Sequence, residues 1–343
     1  MKSQKNIRIA INGFGRIGRL VFRQLFDMEG CEIVAINDLG DVPNLAYLLQ
    51  YDSVYRTYTK HVEALDHALL VDDKEIQVVQ EKDPAHLPWK AMKIDIVVES
   101  TGVFESFAAS RAHISAGAKR VVITAPAKDE EQADAKTILM GVNEAQLKRC
   151  VVSSNGSCTT NATHPVIAVL DEAMGVSKAV LSTVHGYTAT QNLVDGPTKG
   201  SDFRRGRAAA QNIVPSFTGA ALSVTRALPQ LNGKFDGLAY RVPTITGSLA
   251  DITLVMKRAT DVSEINRALS AAASTLRWRD VLRVTENQVV SSDVIGEPYG
   301  AIVDMAMTKV VDGDLVKVLS WYDNEWGYVA TLVQHIMKAG KFL

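Results

Sequence analysis

The feature that most constrains the fold of this chain is a glycine-rich turn, Gly13 to Gly18, which stands between a short β-branched run and a helical pattern. Residues Ile7 to Asn12 predict a strand, and the apolar positions from Arg16 to Met28 recur with the period of a helix. The first glycine of such a turn permits the tight bend, the second lets the backbone approach a pyrophosphate, and the third lets helix and strand pack closely. The turn therefore predicts a doubly wound parallel sheet that binds a dinucleotide.

The turn and one carboxylate beyond it indicate which dinucleotide is bound. The expected cofactor-binding residues of the turn are Gly13, Phe14, Gly15, Arg16, Ile17 and Gly18. The helix that follows offers N–H groups and positive potential to the phosphates. Asp38 stands 20 residues beyond Gly18, at the end of the predicted strand Glu32 to Asn37, where a carboxylate binds ribose hydroxyls and repels a 2′-phosphate. We expect NAD rather than NADP; the alternatives are a glycine turn without a cofactor and an Asp38 that only caps a helix.

The remaining patterns indicate an α/β chain of two domains. In the first half, strands alternate with helices, which predicts a Rossmann-type doubly wound parallel sheet over 1–157. The further strands expected there are Ile94–Glu99, Arg120–Thr124, Ile138–Gly141 and Cys150–Ser153, with a helix at Phe107–Ala116. A C-terminal helix, Trp326–Lys338, is expected to complete this domain within 325–343.

The second domain, 158–324, has a different pattern. A helix is predicted at Cys158–Met174, and the strand-like runs after it lack regular helices between them. These runs are Ala179–His185, Gly237–Pro243, Ala250–Arg258 and Leu315–Trp321. They predict an α+β catalytic domain with a mixed or antiparallel sheet. The long irregular stretch from Thr188 to Arg207 is typical of a functional or interface-forming loop.

Charge and composition exclude several classes of partner. Lys and Arg total 37 and Asp and Glu total 38, for a net charge of -1, so we expect neither a nucleic-acid nor a membrane partner. The N-terminal residues are polar and no run of about 18 apolar residues occurs, so we expect no signal segment and no spanning helix. The 3 cysteines are too few for a disulfide framework and indicate a reducing cytoplasm. We expect no metal site.

Cys158 is the candidate nucleophile. It stands where a predicted strand ends and a helix begins, among small and polar residues from Ser153 to Asn161 that leave room for a substrate. A helix N-terminus stabilises a thiolate, so we expect a lowered pKa for this cysteine. The alternative is a buried cysteine that acts as a small apolar residue, which is how we interpret Cys31 and Cys150 in their apolar strands.

His185 is the candidate base, because it ends a predicted strand and an imidazole beside a thiolate can exchange protons with a substrate oxygen. Strand ends and helix N-termini converge at the carboxyl edge of a sheet, so we expect His185 to lie near Cys158. The alternative is a surface or capping histidine. Among the other histidines, only His164 follows Cys158 closely enough to support it; the remainder are His61, His67, His86, His113 and His335.

Along its whole length, the chain resembles the phosphorylating glyceraldehyde-3-phosphate dehydrogenases. The matching segments are Ile11–Arg19, Ser157–Asn161, Thr188–Gln191, Asp195–Pro197, Gln211–Pro215, Arg241–Thr244 and Trp321–Tyr328. The resemblance implies that Cys158 attacks the aldehyde of glyceraldehyde 3-phosphate and that His185 takes the hydroxyl proton while a hydride passes to NAD. Inorganic phosphate then releases the thioester as 1,3-bisphosphoglycerate. The Cys158 N–H and the His185 side chain would stabilise the oxyanion.

The resemblance also implies phosphate-binding and cofactor-binding residues. The phosphate-binding residues expected from it are Ser157, Thr159, Thr188, Thr190, Arg204, Arg207, Thr218, Gly219 and Arg241. Arginine forks and hydroxyls suit phosphate, but it stays open which of Arg204, Arg205 and Arg207 is used, and the alternative for each is a solvated side chain. Thr101 and Thr124 are expected along the cofactor cleft, and Asn324 at the nicotinamide carboxamide.

The chain departs from the family pattern at a few positions. Gly156 stands where the family usually has alanine, Ala162 replaces a second cysteine, and Ile245–Ser248 replaces Pro-Asn-Val in a segment that tends to lie near subunit contacts. The loop from Thr198 to Phe203 is one residue longer than in many relatives, which leaves the phosphate-binding arginine open. The family normally forms a homotetramer, which we expect here. The alternatives in function are an erythrose-4-phosphate dehydrogenase, a non-phosphorylating aldehyde dehydrogenase and an NAD-bound thiol redox sensor.

Overall fold

The computed structural model describes residues 6–198 and 200–343 and divides into two compact units. Over this part of the chain, the first unit comprises the residues up to Ile138 with Asn143–Gly156 and Leu332–Leu343, and the second comprises Leu139–Val142 and Ser157–Thr331. The division expected from the sequence, 1–157 with 325–343 and 158–324, stays a proposal about the folding units. The polar segment 1–5 and residue 199 of the lengthened loop lie outside the described residues.

The first unit is built on a largely parallel sheet. Its strands are β1 Ile7–Asn12, β2 Cys31–Asn37, β3 Val62–Ala64, β4 Ala68–Val71, β5 Lys74–Val79, β6 Ile96–Glu99, β7 Arg120–Ile123, β8 Ala135–Thr137 and β9 Val152–Ser154. They lie in the order β3-β4-β5-β2-β1-β6-β7-β9-β8. The three-stranded edge β3-β4-β5 is antiparallel within itself, and the other pairs are parallel. The predicted doubly wound sheet is therefore confirmed.

β1 lies between β2 and β6, so the strand order reverses at this strand. Asn12, its last residue, is opposite Asn37 of β2 and Glu99 of β6. Helices α1 Arg16–Leu25, α2 Val42–Gln50 and α3 Phe107–Ser115 complete the unit, together with the C-terminal part of α7, Trp326–Gly340. In such sheets a ligand binds beyond the carboxyl ends of the strands at the point of reversal, which places the expected dinucleotide site at Asn12.

Some strand and helix bounds differ from those expected. The helix after the glycine turn ends at Leu25 rather than Met28. The strand predicted at Ile138–Gly141 is wrong: the strand is Ala135–Thr137, and the buried run after it is not a strand, although the Ile138 N–H still donates to the Ser154 carbonyl of β9 at 2.9 Å. A short buried apolar run has the same composition in a strand and in an irregular segment, so periodicity could not separate the two.

The second unit holds a mixed sheet, as predicted. Its strands are β10 Val176–Gly186, β11 Val214–Phe217, β12 Phe235–Val242, β13 Ser248–Met256, β14 Leu282–Thr285, β15 Ala301–Val311 and β16 Leu315–Tyr322, and its helices are α4 Cys158–Met174, α5 Ala220–Ala227 and α6 Val262–Ala273. The order is β11-β12-β10-β13-β16-β15-β14, with β10–β12 and β14–β15 parallel and the other pairs antiparallel.

The sequence predicts α4 with its bounds, but it does not predict α5, α6 or β15. The exposed residues in the second half of β15 interrupt the alternation that marks a strand. α4 packs against α5 and α6 as well as against the strands β13, β15 and β16. This helix therefore lies in the core of its unit, with Cys158 as its first residue. Over the described residues, no helix is both long and apolar enough to span a membrane.

Candidate active site

A cavity of about 740 Å³ opens at the carboxyl ends of β1, β2 and β6. Its lining is Asn12, Gly13, Gly15, Asn37, Asp38, Leu39, Glu81, Lys82, Asp83, Pro84, Ser100, Thr101, Val103 and Phe104. The structure thus brings Gly13, Gly15, Asp38 and Thr101 together, as the sequence predicts. Thr124 follows β7 and is half-buried, but it does not line this cavity.

Glycine is favoured at each of the three glycine positions of the turn for a different steric reason. Gly13 has φ of +91°, and a Cβ on it would lie 2.6 Å from the backbone nitrogen of Thr101. A Cβ on Gly18 would lie 2.1 Å from the carbonyl oxygen of Gly13, so only glycine lets α1 approach β1 this closely. A Cβ on Gly15 would meet nothing within 4 Å, which means that this position faces open space where a pyrophosphate can approach.

The turn can hold an anion at the start of α1. Gly15 is the N-cap and makes no side-chain capping bond, so the first N–H groups of the helix are left to a ligand. The Arg16 side chain pairs with Asp52 instead of entering the cavity. Phe14 is buried with its ring edge-on to that of Phe22 at 5.7 Å, so it supports the turn from behind.

Asp38 is held at the edge of the cavity by backbone groups. Its Oδ2 accepts the Phe14 N–H at 2.7 Å, and its Oδ1 accepts the Gly40 N–H at 2.8 Å. A carboxylate has about four acceptor positions, so each oxygen can also accept a ribose hydroxyl. The backbone bonds do not remove the negative charge, which would repel a 2′-phosphate.

In the second unit, Cys158 and His185 meet as the sequence predicts. Ser157 is the N-cap of α4: its Oγ accepts the Thr160 N–H at 3.0 Å, and Thr160 Oγ1 accepts the Ser157 N–H at 3.0 Å. The Cys158 side chain is partly exposed, and its Sγ lies 3.3 Å from His185 Nε2. His185 Nδ1 lies 2.7 Å from the carbonyl oxygen of Gly186. Nδ1 also lies 2.6 Å from Arg241 Nη1, which can only donate. Nδ1 therefore donates to the Gly186 oxygen in one tautomer and accepts from Arg241 in the other, and the first tautomer is the one in which Nε2 can accept the thiol proton.

Burial and a nearby arginine set the protonation of this pair. Burial raises the pKa of Cys158, opposed by the positive charge of Arg241 and by hydrogen bonds at Thr159. The expectation that the helix N-terminus gives this thiol a lowered pKa is therefore wrong in direction, because desolvation is larger. Burial and Arg241 together lower the pKa of His185 to about 3. Burial therefore favours the uncharged form of both groups, while the charge of Arg241 favours the thiolate.

Arg241 is placed by the sheet. Because β10 and β12 run parallel, it stands directly opposite His185 in the register. Its Nη1 lies 2.6 Å from His185 Nδ1 and 3.2 Å from the Gly186 oxygen. The Arg241 side chain is half-buried, and desolvation lowers its pKa, so its charge is less screened by solvent and acts on the thiol and the imidazole.

Among the three arginines left open by the sequence, the structure brings Arg205 to the threonines. Its Nη1 donates to Thr190 Oγ1 at 3.3 Å and its Nη2 to the Phe217 carbonyl at 3.5 Å, while the hydroxyls of Thr188 and Thr190 are 2.9 Å apart. The expected Arg204 and Arg207 are directed elsewhere. Arg204 pairs with Asp202 at 2.8 Å and Arg207 with Asp195 at 2.8 Å, so neighbouring aspartates hold both guanidinium groups, whereas the contact of Arg205 with Asp202 is longer, at 3.8 Å.

The other expected phosphate residues have mixed positions. Thr218 Oγ1 accepts the Ala220 N–H at 3.2 Å, at the start of α5, where Gly219 is the exposed N-cap. Thr159 is buried, and its hydroxyl lies 2.9 Å from the Tyr322 hydroxyl. The Thr159 side chain is therefore not available to phosphate, which corrects the expectation for that residue.

Asn324 has an amide whose orientation the structure fixes. Its Oδ1 accepts the Gly247 N–H at 3.1 Å, the Ser248 hydroxyl at 2.8 Å and the Thr246 hydroxyl at 3.2 Å. A backbone N–H can only donate, so the oxygen must be on this side and Nδ2 must point away. Ser248 Oγ also accepts the Gly186 N–H at 3.1 Å. Sequence reasoning missed Ser248, because only the antiparallel pairing of Ser248 with Tyr322 brings it beside Asn324.

The remaining polar candidates are supporting residues. Cys31 and Cys150 are buried, and burial raises the pKa of both thiols, that of Cys150 to about 11, which fits their predicted structural role. His164 Nε2 lies 3.0 Å from the Met140 carbonyl and its Nδ1 lies 3.1 Å from the Thr160 carbonyl. Among the described residues, no group of three or more His, Cys, Asp or Glu side chains is arranged to hold a metal ion.

Two family models match the chain. The NAD binding domain of glyceraldehyde 3-phosphate dehydrogenase matches residues 7–107, and the C-terminal domain of the same enzyme matches residues 157–324. The chain belongs to the glyceraldehyde-3-phosphate dehydrogenase family. The first match contains the glycine turn, Asp38 and Thr101, and the predicted cofactor, NAD, is confirmed by it. The second contains Cys158 and His185.

Similar proteins of the glyceraldehyde-3-phosphate dehydrogenase family come from several bacteria. The chain is 46% identical to the glyceraldehyde-3-phosphate dehydrogenase of Streptomyces coelicolor over 340 residues, which is 98% of this chain and 99% of that protein. It is 46% identical to that of Borreliella burgdorferi over 343 residues, 97% of this chain and 100% of the relative. It is 45% identical to that of Clostridium pasteurianum over 331 residues, 95% of this chain and 96% of the relative.

Proposed function

We propose that this chain catalyses the NAD-dependent oxidative phosphorylation of D-glyceraldehyde 3-phosphate to 1,3-bisphosphoglycerate, a step of glycolysis and gluconeogenesis. The observation that carries the proposal is the 3.3 Å contact between Cys158 Sγ and His185 Nε2, at the start of a helix and beside the half-buried Arg241. A thiol and an imidazole in this arrangement suit covalent catalysis at an aldehyde carbon. The names of the relatives support the same substrate.

The reaction begins when Cys158 Sγ bonds to the aldehyde carbon as its proton moves to His185 Nε2. The same nitrogen returns that proton to the substrate oxygen, which gives a hemithioacetal. NAD, when bound, would supply the acceptor for the hydride that leaves the carbon. His185 takes the hydroxyl proton as the carbon is oxidised, and a thioester remains on Cys158. An oxygen of inorganic phosphate then bonds to the thioester carbon, and the Cys158 sulfur leaves.

The negative charge that develops on the substrate oxygen in these steps is stabilised by hydrogen-bond donors that are already in place. The Cys158 N–H at the first position of α4 has no partner within the helix geometry, and protonated His185 is the second donor. We assign the substrate phosphate to Thr188, Thr190 and Arg241. Arg205 touches Thr190 on one side and the Phe217 carbonyl on the other, so it serves this phosphate and the neighbouring one.

We assign inorganic phosphate to Ser157, Thr218 and Gly219, because hydroxyls and free N–H groups at helix starts suit anions. For the cofactor, the turn Gly13–Gly18 holds the pyrophosphate and Asp38 a ribose, with Thr101 in the same cavity. Thr124 completes the cleft. We assign the nicotinamide carboxamide to Asn324, whose Oδ1 accepts the Gly247 N–H and whose Nδ2 is therefore the group left to donate.

We also propose that the enzyme uses NAD in preference to NADP, acts in the cytoplasm and forms a homotetramer. Asp38 supports the preference for NAD, because its negative charge disfavours the 2′-phosphate of NADP. The loop residues Leu193, Val194 and Phe203 are 74%, 72% and 79% exposed, which suits a contact with a neighbouring subunit. Sedimentation of the purified protein tests the assembly, and equal turnover with NADP would contradict the role of Asp38.

The deciding experiment measures NADH formation by the purified protein with glyceraldehyde 3-phosphate, NAD and inorganic phosphate. Phosphate-dependent NADH that disappears in Cys158→Ser establishes the reaction and its nucleophile. Faster turnover of erythrose 4-phosphate would favour the erythrose-4-phosphate dehydrogenase. A thiol that is alkylated at Cys158 without any NADH formation would indicate the redox sensor instead.

A further inference from the structure

Behind the wall of the dinucleotide cavity lies a buried carboxylate that no step of the proposed reaction uses. Glu99 ends β6 and is 2% exposed. Its Oε1 accepts the Thr101 N–H at 2.9 Å and the Thr101 hydroxyl, and its Oε2 accepts Asn12 Nδ2 at 2.5 Å and lies 3.0 Å from His113 Nε2. Four donor groups therefore converge on one side chain, which is able to accept from all of them only as a carboxylate.

The proton on His113 is located by an indole. Trp89 Nε1–H donates to His113 Nδ1 at 3.0 Å, and an indole nitrogen can only donate. The neutral imidazole must then carry its proton on Nε2, which faces Glu99. Both Trp89 and His113 are fully buried, so neither bond can be replaced by water without opening the core.

The amides on the other side of Glu99 are oriented in the same way. Asn37 Nδ2 donates to the Glu81 carbonyl at 2.9 Å, and Asn37 Oδ1 accepts the Glu81 N–H at 2.9 Å. These backbone groups cannot be reversed, so the Asn37 amide has one orientation. Its Nδ2 also donates to Asn12 Oδ1 at 2.6 Å, which turns Asn12 Nδ2 toward Glu99.

The cluster connects the core with the cavity. Asn12, Asn37 and Thr101 line the cavity, whereas Glu99 and the two rings behind it do not. The Thr101 hydroxyl gives its proton to Glu99 and accepts the Val103 N–H at 3.1 Å, so this residue has one lone pair left for a ligand of the cavity. It can accept a proton from a ribose hydroxyl or an amide N–H, but it cannot donate to a phosphate oxygen.

We propose that Trp89, His113 and Glu99 form a positioning triad for the cofactor. The triad fixes Thr101 as an acceptor for hydroxyl or amide protons of the dinucleotide and holds the Asn12 amide in one orientation. Its members act through these two residues and do not touch the cofactor themselves. The inference rests on the proposed function in one respect: the ligand of the cavity is NAD.

The test is the dissociation constant of NAD in the full-length protein, measured by titration calorimetry without substrate. Trp89→Phe removes the indole donor together with part of the buried ring, and His113→Leu removes the donor to Glu99. Each is expected to raise the dissociation constant by about 2- to 12-fold, the range that one hydrogen bond contributes. His113→Gln restores an N–H toward Glu99 and should bind NAD within about 2-fold of the natural chain.

Kinetics and a matched control separate positioning from general support. The triad variants should raise KM for NAD while kcat at saturating NAD stays unchanged. Trp278→Phe is the control, because Trp278 is also buried, at 3% exposure, and belongs to the second unit. It should lower the melting temperature as Trp89→Phe does, without changing the dissociation constant of NAD.

Each outcome of these measurements either supports or contradicts the positioning role of the triad. Trp89→Phe with a lowered melting temperature and an unchanged dissociation constant would overturn the positioning role and leave the three residues as core packing. Failure of His113→Leu to fold leaves the decision to Trp89→Phe and His113→Gln. If the natural chain itself binds no NAD, the proposed function fails and the triad proposal fails with it, whereas binding that only the variants lose supports both.

Discussion

Arg205 offers the sharpest test of the active site, because the structure selects it from three arginines within four positions. Its guanidinium lies 3.3 Å from Thr190 Oγ1 and 3.5 Å from the Phe217 carbonyl. Arg204 and Arg207 pair with aspartates, and their side chains are 52% and 62% exposed. We therefore expect Arg205→Gln to damage catalysis and the same change at the other two positions to have little effect.

The size of the effect follows from the kind of bond that is lost. A hydrogen bond from a charged donor contributes about 1.5–3 kcal/mol, which corresponds to a loss of about 10- to 150-fold in kcat/KM for glyceraldehyde 3-phosphate. An exposed ion pair is worth about 0–1 kcal/mol, so Arg204→Gln and Arg207→Gln should change the same constant by no more than about fivefold.

Initial rates of NADH formation measure this directly, with glyceraldehyde 3-phosphate varied first and inorganic phosphate varied second. Arg205 contacts Thr190, which we assign to the substrate phosphate, and the carbonyl of Phe217, which precedes Thr218 of the inorganic phosphate site. We therefore expect KM to rise for both glyceraldehyde 3-phosphate and inorganic phosphate. Melting temperatures of the three variants exclude unfolding as the cause. A tenfold loss in Arg204→Gln or Arg207→Gln, with Arg205→Gln close to the natural chain, would show that the loop is placed wrongly.

The structure gives four further expected outcomes. Arg241→Gln removes the positive charge that lowers the pKa of Cys158, so the pH midpoint for alkylation of that thiol should move upward; an unchanged or lower midpoint would contradict the placement of Arg241. Gly15→Ala should keep the melting temperature but weaken NAD binding about tenfold or more, because the added Cβ meets no protein atom within 4 Å. Gly18→Ala should instead lower the melting temperature, since its Cβ would lie 2.1 Å from a backbone oxygen, and equal stability of the two variants would refute this reading. Burial lowers the pKa of His335 from 6.5 to about 3, so its contribution to stability is complete above about pH 6.5 and decreases as the pH falls toward 3. His335→Gln should flatten that decrease, which for one group is at most about 1.4 kcal/mol per pH unit, in melting curves recorded across this range.

The parts of the site that the sequence predicts are those with local causes. The turn at Gly13–Gly18 needs glycine for reasons that its immediate neighbours impose, and Ser157 caps the helix whose first residue is Cys158. Each can be recognised within a few residues of chain. The bounds of α4 are predicted correctly for the same reason, because its cap and its apolar length are both local.

The parts that the sequence leaves open depend on competition between distant groups. Arg204, Arg205 and Arg207 have the same chemistry, and only the folded structure shows that Arg204 and Arg207 form close ion pairs with Asp202 and Asp195, whereas Arg205 has a longer contact with Asp202 and reaches Thr190. The pKa of Cys158 is likewise a balance: the helix N-terminus is visible in the sequence, whereas the burial that outweighs it belongs to the folded unit.

Strand direction is another property that local sequence patterns do not predict. In this protein it determines which side chains meet in the active site. β10 and β12 are parallel neighbours in a sheet whose other central pairs are antiparallel. Parallel pairing aligns their carboxyl ends, so that His185 stands opposite Arg241. With antiparallel pairing the carboxyl ends would lie at opposite edges of the sheet, and the guanidinium could not act on the imidazole. In the first unit β1 is likewise parallel to β2 and β6, and the register of these pairs places Asn12 opposite both Asn37 and Glu99. In both units, therefore, the polar residues of the site are gathered because parallel strands end together, which also explains why single residues at those ends carry the proposed binding and catalysis.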